Sequence, residues 1–249
     1  MFQRTKNRFF FCKHSFLNAA FIIELIFQLF LQVRFITFGS VDAEYRKAIL
    51  SSLGSQLISL CFVLGQDFDL IELLPCTQLR QLVITKCEFK STQTPIPKEV
   101  FLPALRFLHL QSCLEAPNLL HMQIPSLVKL RLHCAHFGLP EVSNLNWNDL
   151  PLLYPNLRHF ILCYPCKSLT LDLVRKFPLE LANLKSIELP LEMLPSNKER
   201  QRGYELATHL ELSSSVRLLF TTLKEKDVLI FGDCDYQNEE HAIAILLNE

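Results

Sequence analysis

The strongest constraint on this 249-residue chain is a short apolar signature that returns every two to three tens of residues. Two apolar side chains separated by one residue recur as Val33/Phe35, Leu60/Phe62, Leu82/Ile84, Leu108/Leu110, Leu130/Leu132, Phe160/Leu162, Ile187/Leu189, Leu210/Leu212 and Leu229/Phe231, at spacings of 27, 22, 26, 22, 30, 27, 23 and 19. Several copies are fuller. Leu79, Leu82, Ile84 and Cys87 spell LxxLxIxxC, and Leu105, Leu108, Leu110 and Cys113 spell LxxLxLxxC. Leu127, Leu130 and Leu132 repeat the pattern with Cys134 one place early, Leu157 and Leu184 open two further copies, and Leu229, Phe231 and Cys234 repeat its tail. Proline stands two residues before the leading leucine at Pro103, Pro125 and Pro155, where a chain reversal is expected. Residues two apart on a strand share a face, so each pair points into one core. One such unit cannot bury that face alone, and stacked neighbours can.

A strand signature with a period in the twenties is that of a leucine-rich repeat. The expected fold is therefore α/β: a leucine-rich-repeat solenoid of about nine parallel strands, with a curved sheet on the concave face and helices and loops on the convex face. Residues 1–29 are expected to form an apolar N-terminal helix or cap, and 30–249 one domain of about nine irregular repeats. Helical spacing marks outer helices over 42–53 (Tyr45, Ile49, Leu53), 169–181 (Leu173, Phe177, Leu181), 216–226 (Val216, Leu219, Phe220, Leu223) and 238–247, behind an Asn238 cap. An ordinary domain of alternating strands and helices is the competing architecture, but it would need longer crossovers and more glycine at strand ends.

Charge and composition narrow the function. Lys+Arg and Asp+Glu are both 25, so a mainly phosphate-binding role is disfavoured and no nucleic-acid partner is expected. With 6 glycines and no GxGxxG or GxxxxGK[ST], nucleotide cradles are absent from the sequence and no cofactor is expected. GxSxG, HExxH and kinase motifs are missing too, so the chain does not read as an enzyme. The 9 cysteines are odd in number and lie mostly in apolar runs, which fits buried thiols in the reducing cytoplasm or nucleus better than a secreted disulfide framework. The N-terminus offers another reading. Arg4, Lys6, Arg8 and Lys13 precede the apolar run Phe16 to Val33, as in a signal or membrane anchor. Glu24, Gln28 and Gln32 line one face of that run, which favours an amphipathic helix packed on protein.

With these residues in view, the stretch Leu57 to Leu189 resembles the repeat region of F-box/leucine-rich-repeat substrate receptors, whose irregular repeats often end LxxLxLxxC. The resemblance implies a substrate-recognition subunit of an SCF-type ubiquitin ligase, with a protein partner bound by the repeats and a ligase adaptor bound by a separate F-box. The F-box itself is not clearly present: the residues before Phe30 lack its Leu-Pro opening, and the apolar segment Phe21 to Phe30 is only faintly like one of its helices. A membrane-anchored or secreted repeat receptor is the alternative that residues 1–33 suggest.

Strand parity selects the candidate site. Residues alternating with the buried pairs form three columns on the concave face. They are Gln81, Phe107, Lys129, His159 and Ser186; then Val83, His109, Arg131, Ile161 and Glu188; then Thr85, Gln111, His133 and Cys163. The centre carries Phe107, His109, Gln111, Lys129, Arg131, His133 and His159, an aromatic among cationic and amide groups suited to a polar or acidic protein segment. Cys163 and Cys166 form a CxxC that His133, Cys134 and His136 could approach from the preceding repeat, but buried thiols explain them better than a metal site, and no metal is expected. Asp67, Asp69 and Glu72 form an acidic cluster expected to be solvated, as do Asp233, Asp235, Glu239 and Glu240.

Overall fold

The computed structural model describes residues 4–5, 8–11, 33–63, 68–87, 102–111, 113, 117–133, 146–163, 166, 168–190, 193 and 216–221, and these form an α/β protein around one sheet. The strands are β1 (Arg4–Thr5), β2 (Arg8–Phe11), β3 (Phe35–Phe38), β4 (Ser59–Val63), β5 (Gln81–Thr85), β6 (Phe107–Gln111), β7 (Lys129–His133), β8 (His159–Leu162), β9 (Ser186–Pro190) and β10 (Arg217–Thr221). They lie side by side in sequence order. β1 and β2 are antiparallel, and each strand from β2 to β10 is parallel to the next. At about 4.8 Å per step the sheet is roughly 43 Å across.

The register carries the sequence pattern directly. Leu60, Leu82, Leu108, Leu130, Phe160 and Ile187 are successive ladder partners. All six are fully buried, and the second members Phe62, Ile84, Leu110, Leu132, Leu162 and Leu189 are buried too. The leading apolar residue of each copy begins with the same reversal: the backbone N–H of Leu57, Leu79, Leu105, Leu127, Leu157 and Leu184 donates to the carbonyl three residues earlier. Pro103, Pro125 and Pro155 occupy the second position of this turn, where a fixed φ near −65° is already suitable. Gly54 opens the first of these turns because a Cβ there would lie 2.8 Å from the Pro75 Cβ. Just after the turn, a single carbonyl accepts two N–H groups from the next repeat. Ile58 O receives Arg80 N and Gln81 N, and Arg34, Arg80, Arg106, Val128 and Arg158 do the same in turn. Thiols take part as well: Cys113 Sγ donates to Ile84 O (3.2 Å) in the preceding repeat.

Helices cover the other side of the core. α1 (Ala43–Leu53), α2 (Pro117–Leu120), α3 (Leu150–Leu153) and α4 (Leu171–Glu180) lie in the connections, with short 3-10 turns at Leu70–Leu73 and Trp147–Asp149. α4 starts where Thr170 accepts the Leu173 N–H, and it buries Val174 and Phe177. Phe177 meets Phe160 edge-on at 6.1 Å, and Trp147 meets Phe160 at 5.8 Å, tying outer helices to the sheet.

Four expectations need correction. In the first copy the inward pair is Ile36/Phe38, in register with Leu60/Phe62, and not Val33/Phe35. Val33 is buried as the leading residue of that copy, while Phe35 is half-buried on the opposite face. The helix expected over 216–226 is instead strand β10 across Arg217–Thr221, in register through Leu218 and Ile187. The N-terminal segment contributes β1 and β2 before any helix, and its expected helix lies, apart from Val33, outside the described residues, as do the pairs Leu210/Leu212 and Leu229/Phe231 and the helix over 238–247. Finally, Glu72 is not solvated. It is buried against Arg46 of α1, with contacts of 2.6 and 2.9 Å, and the guanidinium sits 5.4 Å from the Phe68 ring centroid. Asp69 caps the Leu70–Leu73 turn by accepting Ile71 N–H, and Asp67 lies outside the described residues.

Candidate functional site

The face opposite the buried leucines carries the columns that strand parity selects. Gln81, Phe107, Lys129, His159 and Ser186 are consecutive ladder partners, and so are Val83, His109, Arg131, Ile161 and Glu188. Thr85, Gln111 and His133 form the third column. All seven candidate residues therefore lie on one face of β6, β7 and β8.

Burial then divides them. The first column, at the N-terminal ends of the strands, is half-exposed throughout, and Arg131, Ile161 and Glu188 are half-exposed beside it. His109, Gln111 and His133 are buried, with His109 only 6% exposed. Phe107, Lys129, Arg131 and His159 thus form an accessible ledge, and His109, Gln111 and His133 lie below it. Parity fixes which face a side chain points to, but not what else covers that face.

Contacts along the ledge follow the register. Lys129 Nζ lies 5.6 Å from the Phe107 ring centroid, a cation–π distance, and the Phe107 and His109 rings are 6.3 Å apart. Ser59 Oγ donates to Gln81 Oε1 at 3.1 Å, and His159 Nδ1 meets Ser186 Oγ at 2.8 Å. A histidine bonded to a serine could suggest a base beside a nucleophile, but these two are direct cross-strand partners, and that register alone brings their side chains into contact.

Several polar atoms of this face, one of them on the ledge itself, are held out of water. Thr85 Oγ1, His109 Nε2 and Arg131 Nε are each buried without a hydrogen-bond partner. Burial, and after it the neighbouring Arg131, His133 and Lys129, pushes the His109 pKa down to about 3, so its imidazole is neutral at physiological pH. Cys163 and Cys166 are half-buried, and Cys166 Sγ lies 3.1 Å from Ser168 Oγ. Among the described residues no group of three or more His, Cys, Asp or Glu side chains could hold a metal, and Cys134 and His136 lie outside them. No helix among the described residues is long and apolar enough to cross a membrane.

No protein-family model, no curated protein and no solved structure matches the chain.

Proposed function

We propose that the chain is a leucine-rich-repeat solenoid acting as a protein-interaction scaffold, with the ledge of Phe107, Lys129, Arg131 and His159 as its partner-binding surface. The observation that carries this reading is the ladder itself. One apolar signature, one turn and one shared acceptor carbonyl recur from strand to strand, as expected of a stack of equivalent units. Stacked repeats present side chains from several strands as one continuous surface, and an aromatic flanked by cations on it suits a polar or acidic protein segment. The particular assignment is a substrate-recognition subunit of an SCF-type ubiquitin ligase in the cytoplasm or nucleus. It rests on the LxxLxLxxC copies ending at Cys87 and Cys113.

The decisive experiment is affinity capture from cells with the tagged full chain. Recovery of the ligase adaptor supports the ligase assignment. Recovery of no adaptor removes that assignment. The scaffold reading is judged separately, by whether Lys129→Glu with Arg131→Glu loses a captured partner that wild type retains.

A further inference from the structure

The position just after the leading apolar residue of each repeat holds Arg34, Ile58, Arg80, Arg106, Val128, Arg158 and Lys185 in turn. These residues precede β3 to β9, so the five cations stand in a row along the N-terminal rim of the sheet. Arg34, Arg80, Arg106 and Lys185 are exposed and Arg158 is half-exposed. The two ion pairs among the described residues, Arg46 with Glu72 and Arg175 with Asp172, involve none of them.

The adjoining turns contain no acid. Residues 54–56, 76–78, 102–104, 124–126, 154–156 and 181–183 include neither Asp nor Glu. Three of their polar side chains are tied to one another or to backbone: Ser126 Oγ donates to Leu105 O, Asn156 Nδ2 to Pro125 O, and Asn183 Nδ2 to Asn156 Oδ1. Among the described residues, Glu44, Glu72, Asp149 and Asp172 lie in the first turns of helices. On the face columns Glu188 is the single carboxylate. A chain of zero net charge thus keeps one edge of its sheet cationic.

We propose that this rim binds an acidic protein segment in extended conformation, running across the strands from Arg34 to Lys185. The proposal rests on the reading of the chain as a protein-interaction scaffold and adds to the ledge a second surface, with the charge of the segment that it takes. Six strand-to-strand steps of about 4.8 Å span roughly 29 Å, the length of about nine residues of extended peptide. Guanidinium groups pair with carboxylates through a planar two-donor fork, so four arginines and a lysine favour Asp and Glu side chains along that path.

The test measures binding of fluorescein-labelled deca-glutamate to the full chain by anisotropy. Arg80→Glu with Arg106→Glu should weaken binding on the order of tenfold or more, because like charges then face the peptide. Lys47→Glu with Lys176→Glu makes the same change in net charge at exposed helical positions and should leave binding nearly intact. If the first pair disturbs folding, Arg34→Glu with Lys185→Glu at the ends of the row carries the same expectation. Equal loss in the rim and helical variants overturns the rim, as does tighter binding of a ten-nucleotide oligothymidine than of deca-glutamate. Loss confined to Lys129→Glu with Arg131→Glu overturns the rim and leaves the ledge as partner surface. Binding of neither deca-glutamate nor a captured partner overturns both.

Discussion

His109 shows how burial alters a residue on the face opposite the core. The group is neutral when folded, because burial and the neighbouring Arg131, His133 and Lys129 on β7 oppose its protonation, while β5 faces it with the uncharged Gln81, Val83 and Thr85. The unfolded chain takes up that proton near pH 6.5, the folded chain only near pH 3. Between those values the unfolded state binds more protons, so this group's contribution to stability is complete above pH 6.5 and is lost as the pH falls, by up to about 1.4 kcal/mol per unit. His109→Phe removes both the proton and the unpartnered Nε2. Chemical denaturation between pH 5.5 and 7 should show a shallower slope for it than for wild type, and an unchanged slope would mean that His109 titrates as an exposed imidazole. A second residue-scale case is Arg46 with Glu72. Removing one partner strands a buried charge, so Arg46→Met should cost about 3–5 kcal/mol, while Arg46→Met with Glu72→Leu should recover most of it. Denaturant melts of the two variants check the order.

At the scale of elements, two segments show how a ladder overrides local spacing. Val216, Leu219, Phe220 and Leu223 have helical spacing, yet Leu218 and Phe220 also have the period of a strand. An open edge of β9 offers backbone partners to an extended segment and none to a helix, and Arg217–Thr221 pairs with it along its whole length. β3 makes a similar point about phase. Val33, Phe35, Ile36 and Phe38 allow two placements of the pair, and only Ile36/Phe38 continues the column of Leu60/Phe62. Ile36→Ala is therefore expected to cost about 2–5 kcal/mol, as for other buried aliphatic truncations. Phe35→Ser, on the half-exposed face, should cost clearly less. Thermal or denaturant melts of the two variants decide the phase, and the reverse order would restore Val33/Phe35.

For the whole molecule, stability should propagate along the stack. Leu108 is a ladder partner of both Leu82 and Leu130, so Leu108→Ala removes packing from two interfaces at once. A loss of about 2–5 kcal/mol is expected, with amide exchange accelerating first in β5, β6 and β7 and last in the distant strand β3. Uniform acceleration would show that the stack opens as one unit. The two proposed binding surfaces are arranged on the same scale. The ledge and the cationic rim each draw single residues from several strands, so neither exists in any one repeat.

What the sequence by itself determined was whatever depends on period. The spacing of Leu82/Ile84, Leu108/Leu110 and Leu130/Leu132 dictates strand faces, and the ladder places those residues as the spacing requires. The three face columns were legible for the same reason, because alternation along a strand needs only parity. Tertiary structure alone decided which of those face residues meet water. His109, Gln111 and His133 share their parity with Lys129 and His159, but they lie in the buried part of the face. It also decided that Glu72 belongs to Arg46, a partner 26 residues away, and that a segment with two competing periods becomes strand β10. Burial and pairing are properties of neighbours brought together from distant parts of the chain, and a local pattern can state the direction of a side chain but not what it finds there.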